Sequence, residues 1–304
     1  MSVAIAGLFA LLAVLTVVYI WLWSREASPA GDAAAGAATP DRGRPNPERI
    51  AVGFFANFFD ALGIGSFATS TTYFRIRRLV RDELIPGTLN VGHCLPTVTQ
   101  AFIGIAVIEV EVTTLVLMIV AAVAGAWFGA GVVSRMPRRA IQIGMGIALL
   151  VAAGFMFARV TALMPSSDVG TLGLKGLLLA LGLLGSFLLG AIMPLGIGYY
   201  APCMVLVSLL GMNPRAAFPI MMGACAFLMP VAGMQFVRKR RYSLRAALGL
   251  AIGGVFGSAL ALLIVKSLAL YYVMWLVTVV VIYTGVSLLL AARREPRAST
   301  AGGA

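Results

Sequence analysis

The chain reads as a succession of apolar runs separated by short polar junctions. The runs are about Val3–Trp23, Ile50–Phe74, Thr88–Ile108, Thr113–Val133, Ala140–Ala158, Gly176–Leu210, Ala216–Val237, Leu244–Val265 and Leu270–Ala292. Several exceed the ~18 residues that a helix needs to cross a bilayer. None shows the period-two alternation of a transmembrane strand, which sets a β-barrel aside. The first run lacks a basic n-region and is long for a signal peptide, and Trp21, Trp23 and Arg25 supply interface anchors. It is predicted to be a retained span, residues 1–23, with its N-terminus outside. Residues 24–49 are rich in Ala, Gly and Pro and read as a flexible cytoplasmic linker.

The junctions carry the topology. Basic clusters lie at Arg42, Arg44 and Arg49; at Arg75, Arg77, Arg78 and Arg81; at Arg135, Arg138 and Arg139; at Arg238–Arg241 with Arg245; and at Arg293, Arg294 and Arg297. Cytoplasmic loops attract such clusters. The clusters on both sides of Ile50–Phe74 then belong to the same face, so this run leaves and returns. It is centred on Gly63-Ile64-Gly65. Each flank is about half a membrane long, which predicts a re-entrant helical hairpin. Gly176–Leu210 repeats the pattern around Gly196-Ile197-Gly198 from the opposite face, although it is long enough for two fuller helices. Seven spans remain. Arg159, Lys175, Arg215 and Lys266 then fall outside, and the other 19 of the 23 Lys and Arg fall inside.

A shift of 133 positions lays Leu62-Gly63-Ile64-Gly65 on Leu195-Gly196-Ile197-Gly198 and Pro86 on Pro219. Each half holds one hairpin and three spans, an odd number of crossings, so the halves are inverted. The expected fold is therefore an all-α integral membrane protein of seven transmembrane helices plus two re-entrant hairpins in an inverted repeat. Repeat 1 spans 50–160, repeat 2 spans 172–292, and residues 293–304 form a cytoplasmic tail. Inverted repeats with broken helices at the midplane mark transporters. The alternative is that the glycines are close-packing points between helices.

Composition agrees. Hydrophobic residues make up 61% and charged residues 11%, against about 25% charged in soluble domains. The net charge of +12 is spent on orientation clusters, which leaves no basic domain for nucleic acid. Cys94, Cys203 and Cys225 lack metal-ligand spacing and read as buried small side chains. No metal and no cofactor is called for.

The breaks carry the candidate chemistry. An interrupted helix leaves backbone groups that lipid cannot satisfy. The second half-helix of each hairpin turns the positive end of its dipole inward. Ser66, Thr69 and Ser70, with Thr71 and Thr72, crowd that start in the first repeat, and Tyr199 and Tyr200 do so in the second. Together with Gly63, Gly65, Gly196 and Gly198 they form a candidate substrate-binding site for an anion. Asn90, His93, Thr97 and Gln100 are spaced to line one face of the next span, as a second part of that site or as an interhelical hydrogen-bond seam. Asp60 is the one acidic residue within a predicted membrane segment, with Asn57 one turn before it. Asp60 and His93 are candidates for proton coupling; a helix-capping role for Asp60 is the alternative. Ser66, His93 and Asp60 also admit a hydrolytic reading, an intramembrane enzyme, and a non-transporting membrane scaffold is a third class. The expected partners are a small anionic substrate and the lipid bilayer, with a homodimer left open.

Gly53-Phe54-Phe55, the Leu62–Gly65 turn, its echo at Leu195–Gly198 and the three spans after each resemble the sulfite exporter family TauE/SafE. The resemblance covers Arg49 to Ala292 and leaves the first span and linker outside. It implies a bacterial inner-membrane transporter of small sulfur-containing anions, such as sulfite, sulfoacetate or thiosulfate, or of organic anions. Ser66 stands where the family often has a further glycine. The first repeat lacks the proline that follows the turn, while Pro202 supplies it in the second.

Overall fold

The computed structural model describes residues 3–27, 45–62, 65–107, 109–161, 171–196, 198–213, 216–264 and 271–294. Gly63, Ile64, Ile197, most of the expected linker and nearly all of the tail lie outside the described residues.

The helices, in chain order, are α1 (Val3–Glu26), α2 (Pro47–Ala61), α3 (Ser66–Ile76), α4 (Ile85–Gly92), α5 (Cys94–Val107), α6 (Val112–Val133) and α7 (Arg138–Val160), followed by α8 (Gly176–Ile192), α9 (Tyr200–Leu209), α10 (Ala217–Arg238), α11 (Leu244–Ile264) and α12 (Tyr271–Arg294). Short 3₁₀ turns precede α4 and follow α8. Helix α1 runs three residues past its expected end. Helix α2 starts three residues early, because Asn46 caps it through the Arg49 N–H and Pro47 fits its first position.

Five helical stretches among the described residues are long and apolar enough to cross a membrane: Ile5–Glu26, Val112–Val133, Gly176–Leu195, Ala217–Arg238 and Leu244–Leu263. Helices α7 and α12 hold shorter apolar stretches. The expected span Thr88–Ile108 is not one helix. It breaks at His93 into α4 and α5. Pro96 is the cause: it has no N–H for the Gly92 carbonyl one turn back, and its ring crowds that carbonyl. Arm lengths also differ from the expected half-membrane. Helix α2 is about 22 Å and α9 about 15 Å, whereas α8 with its 3₁₀ turn reaches about 30 Å.

Moved along by 133 residues, every helix of the first half after α1 falls on one of the second, with α4 and α5 together matching α10. The packing follows the same exchange. Helix α2 lies on α11 of the other half, and its equivalent α8 lies on α6, the equivalent of α11. Glycines make these crossings close. A Cβ at Gly125 or Gly129 would fall 1.9 Å from the Phe187 or Ala191 carbonyl oxygen, and one at Gly257 would fall 2.1 Å from that of Phe54. Phe54 and Phe187 are equivalent positions in the two halves.

The breaks have a different cause. Gly65, Gly196 and Gly198 have φ of +95°, +105° and +74°. A Cβ at Gly65 would meet nothing within 4 Å, and at Gly196 and Gly198 it would meet only ordinary contacts. Backbone conformation, not crowding, demands glycine there, so the close-packing alternative does not hold for these three.

Polar contacts sort the junctions to two ends. At one end the Glu48 carboxylate, at the start of α2, accepts from Tyr73 (3.0 Å) and Arg77 (2.9 Å) at the end of α3, so the chain turns back on itself. At that end Lys239 donates to Ser134 at 2.6 Å, Arg241 to the Met136 carbonyl at 3.0 Å, and Gln142 to Asp82 at 2.9 Å. Trp23 of α1 donates to Tyr242 there as well. At the other end the Glu111 N–H donates to the Leu172 carbonyl (2.8 Å), the Leu174 N–H to Thr114 (2.9 Å), and the Asn213 N–H to the Thr171 carbonyl (3.0 Å). The start of α8 and the end of α9 lie together at this base-poor end.

Gly129→Ala and Gly257→Ala should each destabilise the detergent-solubilised protein by about 1–3 kcal/mol, while Gly154→Ala, inside a helix with nothing within 4 Å, should leave its thermal midpoint the same or slightly higher. The hydrogen bonds from Arg77 and Tyr73 hold Glu48 below the usual carboxylate range. Their stabilisation is therefore complete above the ordinary glutamate pKa and is lost as pH falls through the lowered folded value. Acid melts should show a small sag in wild type that Glu48→Gln lacks, the pair being exposed.

Candidate functional site

The first hairpin's break is closed by its own acid. Asp60, in the last turn of α2, accepts the Ser66 N–H through Oδ1 at 2.6 Å, so its carboxylate caps α3. Of the two expectations for Asp60, the helix cap is the one seen, and it occupies the Ser66 N–H that the anion-site expectation turned toward substrate. Asp60 Oδ2 accepts from Gln100 Nε2 at 2.9 Å. The second Nε2 proton goes to Ser258 Oγ of α11 at 3.0 Å, and Gln100 Oε1 accepts from the Tyr200 hydroxyl at the first residue of α9.

A second chain of bonds lies beside it. His93, at the α4–α5 break, sets Nδ1 3.0 Å from Asn57 Oδ1 and Nε2 3.0 Å from Ser70 Oγ. Asn57 spends its Nδ2 on the Gly53 carbonyl at 2.8 Å, so its oxygen must accept, His93 Nδ1 carries the proton, and Nε2 accepts from Ser70. Phe67 covers the imidazole, with ring centroids 5.7 Å apart. His93 thus pairs with Asn57 and Ser70, not with Asp60 and Ser66 as the hydrolytic reading requires.

Asn90 completes the face. Its Nδ2 donates to the Pro86 carbonyl at 2.8 Å and reaches the Pro194 carbonyl, just before the second break, at 3.5 Å. A Cβ at Gly198 would lie 3.8 Å from Phe67 Cβ, so the second break touches the first turn of α3. Asn57, Asp60, Ser66, Ser70, Asn90, His93, Gln100 and Tyr200 are all buried, in two separate bonded sets, Asp60–Ser66–Gln100–Tyr200 and Asn57–His93–Ser70, with Asn90 held by the Pro86 and Pro194 carbonyls.

Other expected residues stand apart. Thr69 returns its hydroxyl to the Gly65 and Ser66 carbonyls of its own helix. Tyr199 bonds Ser186 of α8 at 3.1 Å, away from Asp60. The Thr71 and Thr72 hydroxyls are buried without a hydrogen-bond partner, as is Asn90 Oδ1. Ser258 and Ser186 went unread in the sequence. Their signal is faint, a lone hydroxyl in an otherwise apolar helix. Tyr19 of α1 was missed as well: its hydroxyl donates to the Val91 carbonyl at 3.1 Å, two residues before the His93 break.

Apolar helices of membrane-crossing length around a buried polar group define a polytopic helical membrane protein. The chain belongs to the sulfite exporter family TauE/SafE, whose family model matches residues 2–156, just over half of it. The match begins in α1, which sequence reading had placed outside the resemblance, and it ends within α7. Neither a curated protein nor a solved structure matches the chain. Membership makes it a membrane protein of an anion-exporter family rather than of an enzyme family.

Asn57→Ala and His93→Ala should each cost about 1–3 kcal/mol of stability, because each strands a buried polar partner. The double variant should cost clearly less than the sum, since the shared bond is lost only once. Additive melting data would show that the contact is not made.

Proposed function

We propose that the chain is a secondary transporter that carries small sulfur-containing or organic anions, sulfite and sulfoacetate among them, across a bacterial inner membrane, coupled to a proton. The reading rests on one observation: two glycine-turned breaks meet at a buried group rich in donors, with a single carboxylate seated where an anion is favoured. Ionised Asp60 fills the positive end of α3. A proton on it weakens that hold and frees the Ser66 N–H for the substrate, with Ser70 and the unpartnered Thr71 and Thr72 hydroxyls near by. Proton and anion then bind together, and neither need be buried as a bare charge.

The topology that suits this reading has seven spans and two re-entrant hairpins in inverted halves. The basic end is cytoplasmic, the N-terminus lies outside and the C-terminus inside. The gathering of the basic junctions at one end supports it, as does the exchange of packing partners between halves. Direction follows from stoichiometry. A bare anion is driven out by about 2.3 kcal/mol per charge per 100 mV, and one proton per charge removes that bias.

Purified protein in liposomes should exchange labelled sulfite or sulfoacetate in a saturable way, and the preferred anion should raise the thermal midpoint by mass action. Asp60→Asn should abolish the pH dependence of exchange. Flux indistinguishable from protein-free vesicles, with every anion tested, would end the transport reading; unaltered pH dependence in Asp60→Asn would end the coupling.

A further inference from the structure

The bonds around Asp60 have a direction. Tyr200 donates to Gln100 Oε1, Gln100 Nε2 donates to Asp60 Oδ2, and the Ser66 N–H donates to Asp60 Oδ1. A side-chain amide has one end that only donates and one that only accepts. Both carboxylate oxygens thus face donors, an arrangement complete only while Asp60 is ionised. A proton on Oδ2 would set O–H against N–H. A proton on Oδ1 would evict the Ser66 cap.

We propose that Gln100 is a hydrogen-bond polarity switch that reports the protonation of Asp60, in the first hairpin, to Tyr200, at the start of α9 in the second. When Oδ2 takes a proton from water, the Gln100 amide turns over. Oε1 accepts from Asp60, the Ser258 hydroxyl changes from acceptor to donor, and Nε2 faces the Tyr200 oxygen. The Tyr200 hydroxyl then points its proton elsewhere. No proton passes through the amide; only the sense of the bonds reverses. Gln100 is a positioning residue, and it bonds both hairpins, through Asp60 of one and Tyr200 of the other.

The surroundings favour a clean signal. Helix α11 faces α2 with Gly249, Gly253, Gly254, Gly257 and Ser258, none of them charged. Among the described residues, Tyr200 and Cys225 are the titratable groups close enough to interact with Asp60. His93 bonds Asn57 and Ser70 instead. No Lys or Arg side chain pairs with Asp60 among the described residues.

The purpose of the switch rests on the proton-coupled reading above, but its test needs no substrate. Acid-minus-neutral infrared difference spectra of the reconstituted protein should show a protonated-carboxyl band that is lost in Asp60→Asn. A tyrosine band should rise with the same midpoint and vanish in Tyr200→Phe. Gln100→Met should keep the carboxyl band and lose the tyrosine band. A tyrosine band that persists in Gln100→Met overturns the switch, and so does a wild-type carboxyl band without one, or no carboxyl band at all. Should Gln100→Met not fold, Gln100→Leu takes its place with the same expected loss of the tyrosine band, and a wild-type carboxyl band without a tyrosine band still overturns the switch. Intact spectra without flux of any anion tested would remove the transport reading and leave the switch; intact flux without the tyrosine band would do the reverse.

Discussion

A carboxylate inside an apolar bundle must be surrounded by donors, and much of this molecule's interior answers that demand. Asp60 takes one donor from the backbone of α3 and one from the side chain of Gln100. The first requires the chain to turn sharply within a few residues, which calls for a glycine with positive φ at Gly65. The second requires a long amide on a neighbouring helix whose other end must also be bonded, by Tyr200 of the other half. One buried charge thus fixes the turn of the first hairpin, the placement of α5 and the start of α9.

Much of the fold was legible in the sequence because glycine turns and basic junctions are strong local signals. The breaks near residues 63 and 197, the offset of 133 and the gathering of basic clusters at one end could be read from Gly63–Gly65, Gly196–Gly198 and the arginines. The break at His93 was not read, although Pro96 stood in plain view. The polar face of Asn90, His93 and Gln100 suggested one continuous helix, and across the break helix-type bonds remain, the His93 N–H to Leu89 and the Thr97 N–H to His93. Periodicity reports a face, not the continuity of the helix beneath it.

The site was legible as a set of residues and illegible as a set of bonds. Asn57, Asp60, His93 and Gln100 stand out as polar positions in apolar runs, but whether His93 meets Asp60 or Asn57 is decided by helix rotation and a few ångströms of rise. The hydroxyls of Ser186 and Ser258 become meaningful only once their partners are known. Small polar residues in long apolar helices carry little information until the packing is in hand.

Helices α2 and α8 rest in grooves supplied by the opposite half, with backbone oxygens against glycines of α11 and α6. This interlocking sets an order of assembly. Emerging from the ribosome, α2 finds no bed until nearly the whole chain has been made, and an arm with Asp60 at its tip is poorly suited to wait in lipid. The groove that receives α2 exists only once α11 is in place. Neither half is a self-sufficient folding unit, and a fragment ending after α7 would leave its own entry hairpin unhoused.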